Sequence, residues 1–174
     1  MDILITTEEI QDRVKELARE IRVAYPDDLP LTVVGILTGS LVFLADLIRQ
    51  LDRPLQIGLI QASSYRGTAT SPGELRIRDE LLPEVRGRHL LLLDDILDTG
   101  QTITRLVDHL LAKEAASVKT CVLLRKIGRQ RVPFEPDYIG FAIPDQFVIG
   151  YGLDFNDEYR HLPFIAVLPE SSVD

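Results

Sequence analysis

Apolar positions along the chain follow two different periods, and their alternation predicts the architecture. Ile10, Val14, Leu17, Ala18 and Ile21 recur at helical spacing behind Thr6 and Glu9, a pair with capping-box separation, so a first helix runs toward Pro26-Asp27-Asp28. LTVVGIL (31–37) is short, continuous and rich in β-branched residues, as a buried strand should be. Thr38-Gly39-Ser40 turns the chain into LVFLADLIRQL, a second helix from Leu41, and PLQIGLIQA (54–62) is another strand. SSYRGTATSPG (63–73) is a polar loop, and LRIRDEL (75–81) alternates like a strand with one wet face. HLLLLDD is a fully buried strand, followed by a helix carrying Ile103, Leu106, Val107, Leu110 and Leu111. SVKTCVLLRK (117–126) adds a strand, and YIGFAIP, FVIGYGLD and FIAVLP are short extended segments.

Strands alternating with helices predict an α/β fold: a mainly parallel central sheet with helices on both faces, the late strands forming a small added lobe. Ligands of such a sheet bind at the carboxyl ends of its strands. Neither a repeat nor a long linker divides the 174 residues, so one domain, 1–174, is expected. Composition narrows the function. The net charge of −8 argues against a nonspecific grip on nucleic acid or on an anionic membrane. Cys121 is the single cysteine, which points to a reducing compartment. With no basic leader before an apolar run, and no run of the roughly 20 residues that span a bilayer, a cytoplasmic protein is expected.

The candidate chemistry is concentrated in LLLLDDILDTGQT (90–102), a greasy strand driven into three acids without a cation among them. Asp98-Thr99-Gly100-Gln101-Thr102 lies between strand and helix, where free amides and the helix dipole favour an anion. Gly100 permits close approach, and Thr99 and Thr102 offer hydroxyls. The loop lacks the Gly-x4-Gly-Lys pattern of a Walker A motif. Taken alone, it reads equally as a helix capped by Asp98 or Thr99 with no ligand. Asp94 and Asp95 repel each other and need solvent, a cation or hydroxyl donors, so a sugar phosphate suits the whole stretch. His89, His109 and His161 show no metal-ligand spacing.

DDILDTGQT resembles the phosphoribosyl diphosphate (PRPP) motif of the type I phosphoribosyltransferases at every position. GILTGSLVFLADLI, ASSYRGT, LLRK and IPDQFVIGYGLDFNDEYR are similar, in order and spacing, to the hypoxanthine-guanine phosphoribosyltransferases from about Leu31 to Leu168. The resemblance implies the type I fold with a small hood lobe drawn from the C-terminal and N-terminal ends. It implies Asp94 and Asp95 at the ribose hydroxyls of PRPP, directly or through Mg²⁺, and Asp98 at purine N7. Asp98, Thr99, Gly100, Gln101 and Thr102 would cradle the 5′-phosphate. Lys126 would read the 6-oxo group, Phe147 would stack on the base, and Val148 would meet the base edge through its backbone. Asp154 would be a magnesium ligand, Arg160 would contact pyrophosphate, and Ser64-Tyr65 would close over the reacting centre. Thr38 and Gly39 fall in the pyrophosphate loop, which in this family adopts a cis non-proline peptide.

Two departures stand out. Thr38 replaces a frequent lysine or arginine, and Gln101 is neutral where some relatives carry lysine, so anion binding leans on amides and hydroxyls. Each residue has a bland alternative too: Phe147 as core, Lys126 as a solvated strand end, Asp154 as a cap, Arg160 as a surface ion pair. The reading implied is purine salvage: Mg²⁺-dependent transfer of the phosphoribosyl group from PRPP to hypoxanthine and guanine, by a homodimer or homotetramer. The alternatives are a PRPP- or nucleotide-sensing RNA-binding regulator on the same fold, or a transferase for another base such as xanthine.

Overall fold

The computed structural model describes residues 1–64 and 75–169. Helix α1 (Thr7–Ala24) opens on the expected capping box, with Glu9 N–H donating to Thr6 Oγ1 and Thr6 N–H to Glu9 Oε2. It buries Ile10, Val14, Leu17, Ala18 and Ile21. Ahead of it lies a strand that the apolar pattern does not announce, β1 (Asp2–Ile5). It has four residues, of which Asp2 and Ile3 are exposed and Ile5 is buried, and its partner lies 160 to 165 positions away.

Six strands form the central sheet in the order β4 (Leu75–Leu81), β3 (Gln56–Ser64), β2 (Leu31–Leu37), β5 (His89–Leu97), β6 (Ser117–Lys126), β7 (Tyr138–Ile143). All neighbours are parallel except β4, which runs antiparallel on one edge. The leucine run of β5 resolves into two faces by its period of two. Leu91 and Leu93 join α1 and α2 (Leu41–Leu51) in one core cluster, while Leu90 and Leu92 join α3 (Gln101–Ala112) in the other. Helices therefore cover both faces, as the alternation predicts.

A second sheet, β1–β9–β8, is antiparallel and joins β8 (Val148–Ile149) and β9 (Ile165–Val167) to the N-terminal strand. This is the hood. Val148, Tyr151, Leu153 and Ile165 are continuous with the core on the α1 and α2 side. The segment FVIGYGLD is mostly not a strand: it is strand only at Val148 and Ile149 and then bends through Gly150, Tyr151 and Gly152, all at positive φ, closed by a bridge from Gly150 to Leu153. Tyr151 is fixed there by its hydroxyl, which donates to Asp46 Oδ2 on α2 at 2.6 Å. Among the described residues, no helix is long and apolar enough to cross a membrane.

Candidate active site

The carboxyl ends of β2, β5 and β6 meet under the hood, and the chain after each strand supplies one part of the site. At the end of β2 the Leu37–Thr38 peptide is cis, as the resemblance implies. Thr38 is exposed, while Ser40 is buried and donates its hydroxyl to Ile36 O at 2.6 Å. Gly39 is present because nothing larger fits. A Cβ built on it would lie 1.7 Å from Asp95 Oδ2. Its carbonyl is closed in from the other side by Gly152 (φ +98°), whose own Cβ would fall 2.2 Å from Gly39 O. The loop at Thr38 and Gly39 is thus clamped between Asp95 and the hood turn.

Strand β5 continues through both acids to Leu97, so Asp94 and Asp95 belong to the strand and do not end it. Each carboxylate accepts from the next backbone amide: Asp95 N–H donates to Asp94 Oδ1 at 2.9 Å and Ile96 N–H to Asp95 Oδ1 at 2.7 Å. Burial, reinforced by its neighbour's charge, pushes the Asp94 carboxyl well above the usual range. Burial raises Asp95 too, tempered by hydrogen bonds from Asp94 and the backbone and by the Arg160 charge. Such a pair has strong reason to take up a cation or hydroxyl donors.

Beyond Leu97 the chain turns at Asp98 and Thr99 into α3. The residue at the helix start is Gly100 (φ +84°), with no side-chain cap. Asp98 therefore does not cap the helix; Thr99 Oγ1 only accepts from Gln101 N–H at a long 3.4 Å. Gln101 and Thr102 are exposed in the first turn, with their amides at the positive end of the helix dipole. Gly100 also lies against the loop after β6, where a Cβ would meet Val132 Cγ2 at 3.0 Å.

The third part gathers around the end of β6. Lys126 is not a solvated strand end: its side chain is 13% exposed and Nζ lies 3.3 Å from Asp145 Oδ1. Phe147, in the same turn as Asp145, is not core. It is 41% exposed and meets Phe155 edge to face, centroids 5.7 Å apart at 88°. Val148 is buried and paired with Val167 in the hood. Asp154 accepts from Asp157 N–H at 2.9 Å and pairs with Arg160 at 3.1 Å, and Arg160 also donates to Gly152 O at 2.8 Å. Ser64 closes β3, opposite Leu75; Tyr65 lies outside the described residues.

Sequence reasoning missed Arg129 and Asp145. Arg129 Nε donates to Asp98 Oδ1 at 2.8 Å and lies 3.7 Å from Asp145 Oδ2. The available signal was the basic run GRQR in an acidic chain, two residues past LLRK. This pairing makes Asp98 a stronger acid than usual: the Arg129 guanidinium first, then Lys126 and Arg131, hold its carboxyl below the ordinary range despite partial burial. His89 and His109 are occupied elsewhere, with Ser117 and Asp79 respectively.

As a metal site, Asp94, Asp95 and Asp154 supply hard oxygen donors, the type Mg²⁺ prefers. Among the described residues no three His, Cys, Asp or Glu side chains stand close enough to hold an ion unaided. That suits Mg²⁺, which commonly takes one or two carboxylates and completes its shell with substrate phosphates and water.

Comparison with known proteins gives this geometry a lineage. Residues 4–156 match the phosphoribosyl transferase domain family. The hypoxanthine-guanine phosphoribosyltransferase of Aquifex aeolicus is 42% identical over 98% of this chain and 96% of its own. The hypoxanthine-guanine-xanthine phosphoribosyltransferase of Tritrichomonas foetus is 41% identical over 97% of this chain and 92% of its own. The crystal structure of a hypoxanthine phosphoribosyltransferase from Staphylococcus aureus superposes with a TM-score of 0.92 at 37% identity, covering 100% of this chain and 94% of that one. The chain belongs to the phosphoribosyl transferase family.

Proposed function

We propose that this enzyme transfers the 5-phosphoribosyl group of PRPP to hypoxanthine and guanine, giving IMP or GMP and pyrophosphate. The observation that carries the base assignment is an exposed aromatic, Phe147, on the same turn as the carboxylate that holds the nearly buried ammonium of Lys126. A flat π-face beside a fixed cation suits a planar base with an exocyclic oxygen. An amino group there would face a second donor, so adenine is disfavoured.

In the reaction the N9–C1′ bond forms as the C1′–O bond to pyrophosphate breaks, leaving cationic character on the ribose ring as in glycoside cleavage. The amides of Asp98, Thr99, Gly100, Gln101 and Thr102 hold the 5′-phosphate. Asp94 and Asp95 orient the ribose hydroxyls, and the loop at Thr38 and Gly39 together with Arg160 receives pyrophosphate. Asp98 accepts the N7 proton and so raises the nucleophilicity of N9. Ser64 and Tyr65 border the segment that would exclude water. Asp154, with Asp94 and Asp95, would hold Mg²⁺, which would supply Lewis-acid neutralisation of the diphosphate. The same reading includes assembly as a homodimer or homotetramer.

The test supplies PRPP and Mg²⁺ with hypoxanthine, guanine, xanthine and adenine in parallel. IMP and GMP are expected and AMP is not. Xanthine belongs in the panel because the T. foetus relative is named for it. No nucleotide from any of the four would overturn the reading. Phe147→Ala removes a stacking face worth about 1–3 kcal/mol per base, so KM for hypoxanthine rises roughly tenfold with a smaller change in kcat. Steady-state kinetics with saturating PRPP measures that split.

A further inference from the structure

Asp98, the carboxylate proposed to take the N7 proton, already has a cation on both of its oxygens. Arg129 Nε lies 2.8 Å from Oδ1, and its second nitrogen lies 3.4 Å from Oδ2. Arg129 reaches on to Asp145 Oδ2 at 3.7 Å, and Asp145 Oδ1 reaches Lys126 Nζ at 3.3 Å. Two acids and two bases thus form one chain, Asp98–Arg129–Asp145–Lys126, whose two ends are the groups assigned to N7 and to the 6-oxo group. The formal charges cancel along it.

This chain is built into the fold. The loop after β6 is tethered on both sides of Arg129. Ile127 N–H donates to Ile143 O at 2.9 Å, Gln130 Nε2 to Lys126 O at 2.8 Å, and Arg131 N–H to Thr99 O at 2.9 Å. Gly128, at φ +79°, makes the turn between the first two tethers. The last tether joins the loop to the turn that carries Asp98, so carboxylate and guanidinium are fixed to the same piece of backbone.

We propose that Arg129 is a positioning residue for the reaction: its fork holds Asp98 ionised and oriented toward the base side until the purine arrives. The proposal rests on the assignment of Asp98 to N7. The need for such a partner follows from the neighbouring phosphate site. An anionic phosphate on the turn Asp98–Thr102 favours the protonated form of Asp98, and a protonated carboxyl cannot accept the N7 proton. Arg129 opposes that effect, holding the Asp98 carboxyl below its ordinary range. The other charges facing Asp98 are Lys126 and Arg131, with Asp145 behind Arg129 and no acidic residue in the first turn of α3. A lysine at 129 would keep the charge and lose the planar two-point grip. The arrangement also weakens Asp98 as a base, so it favours a carboxylate that is always ready over one that is strongly basic.

The sign of the effect is fixed. The active form is ionised, and Arg129 keeps it ionised to lower pH, so removing Arg129 moves the acid limb of kcat/KM for hypoxanthine upward. The experiment compares wild type, Arg129→Ala, Arg129→Lys and Asp98→Asn across that limb. It also follows the Asp98 carboxyl carbon by NMR in the ligand-free protein, assigned by its loss in Asp98→Asn. Expected are a rise in the NMR midpoint in Arg129→Ala and an activity loss at the acid end of roughly fivefold or more beyond that at neutral pH. Arg129→Lys should fall between. Arg129 is partly exposed, so the pair adds little to folding and the variant should keep its melting temperature. If Asp98→Asn is inactive but the Arg129→Ala midpoint and limb coincide with wild type, the role of Arg129 is overturned and that of Asp98 stands. If Asp98→Asn turns over normally, the Asp98 assignment fails and the role of Arg129 fails with it.

Discussion

Gly39→Ala is expected to lower kcat/KM by about 100-fold, the usual cost of displacing reacting groups by about 1 Å. The cause is space. The added Cβ would lie 1.7 Å from Asp95 Oδ2 and 2.6 Å from Asp95 Cγ, far inside any tolerable contact. Something must shift, and the neighbours leave little freedom. Asp95 is held through Oδ1 by the Ile96 amide at 2.7 Å, so its carboxylate swings away only by breaking that bond. The loop cannot back off either, because Gly152 closes on the Gly39 carbonyl. Behind Gly152, Tyr151 is fastened to Asp46 on α2. On the proposed function either outcome spoils a PRPP contact: Asp95 leaves the ribose side, or the loop proposed to receive pyrophosphate moves. Stability should change less than activity, since the loop is outside the two main cores. Steady-state kinetics beside thermal melting separates the two effects. A variant within a few-fold of wild type would mean that this clamp is not part of the working site.

Gly39 and Arg129 together show which parts of the site a sequence leaves hidden. Residues whose partners lie along the same strand or turn were legible: Leu90 to Leu93 gave β5, and Thr6 with Glu9 gave the start of α1. Residues whose partners come from another element were not. The Gly39–Asp95–Gly152 contact joins three segments, and no periodicity announces it. The same holds for Arg129, whose partners Asp98 and Asp145 lie 31 and 16 positions away. Strand β1 was invisible for a related reason: DILI has too few residues for a period, and its pairing with β9 depends on both chain ends meeting. The acids themselves were legible as a group needing a partner, but their place within β5 was not. A strand end and a strand interior carry the same letters, and only the pairing of β5 with β6 through Leu97 tells them apart.

Partial burial beside Asp95 gives Asp94→Asn two opposite effects. Activity should fall by at least about 100-fold, because the variant keeps a polar oxygen but loses the charge proposed to orient the ribose and to help hold Mg²⁺. The ligand-free protein should nevertheless become more stable, by about 0.5–2 kcal/mol, as often happens when a strained active-site group is neutralised. An acid whose folded pKa is raised binds its proton more tightly in the native state. Its contribution is therefore intact below the unfolded value and is lost as pH rises through the folded one. Asparagine never ionises and avoids that loss, while its Oδ1 can still accept the Asp95 amide that Asp94 accepts at 2.9 Å. The difference in melting temperature between variant and wild type should be largest near neutral pH and shrink toward acid pH. A constant difference would point to packing instead of charge. Addition of Mg²⁺ with PRPP should reverse the order, because the ionised wild-type pair gains its missing partner and the variant gains less. On this reading the acid pair costs the empty enzyme stability that the complex with PRPP and Mg²⁺ returns as binding.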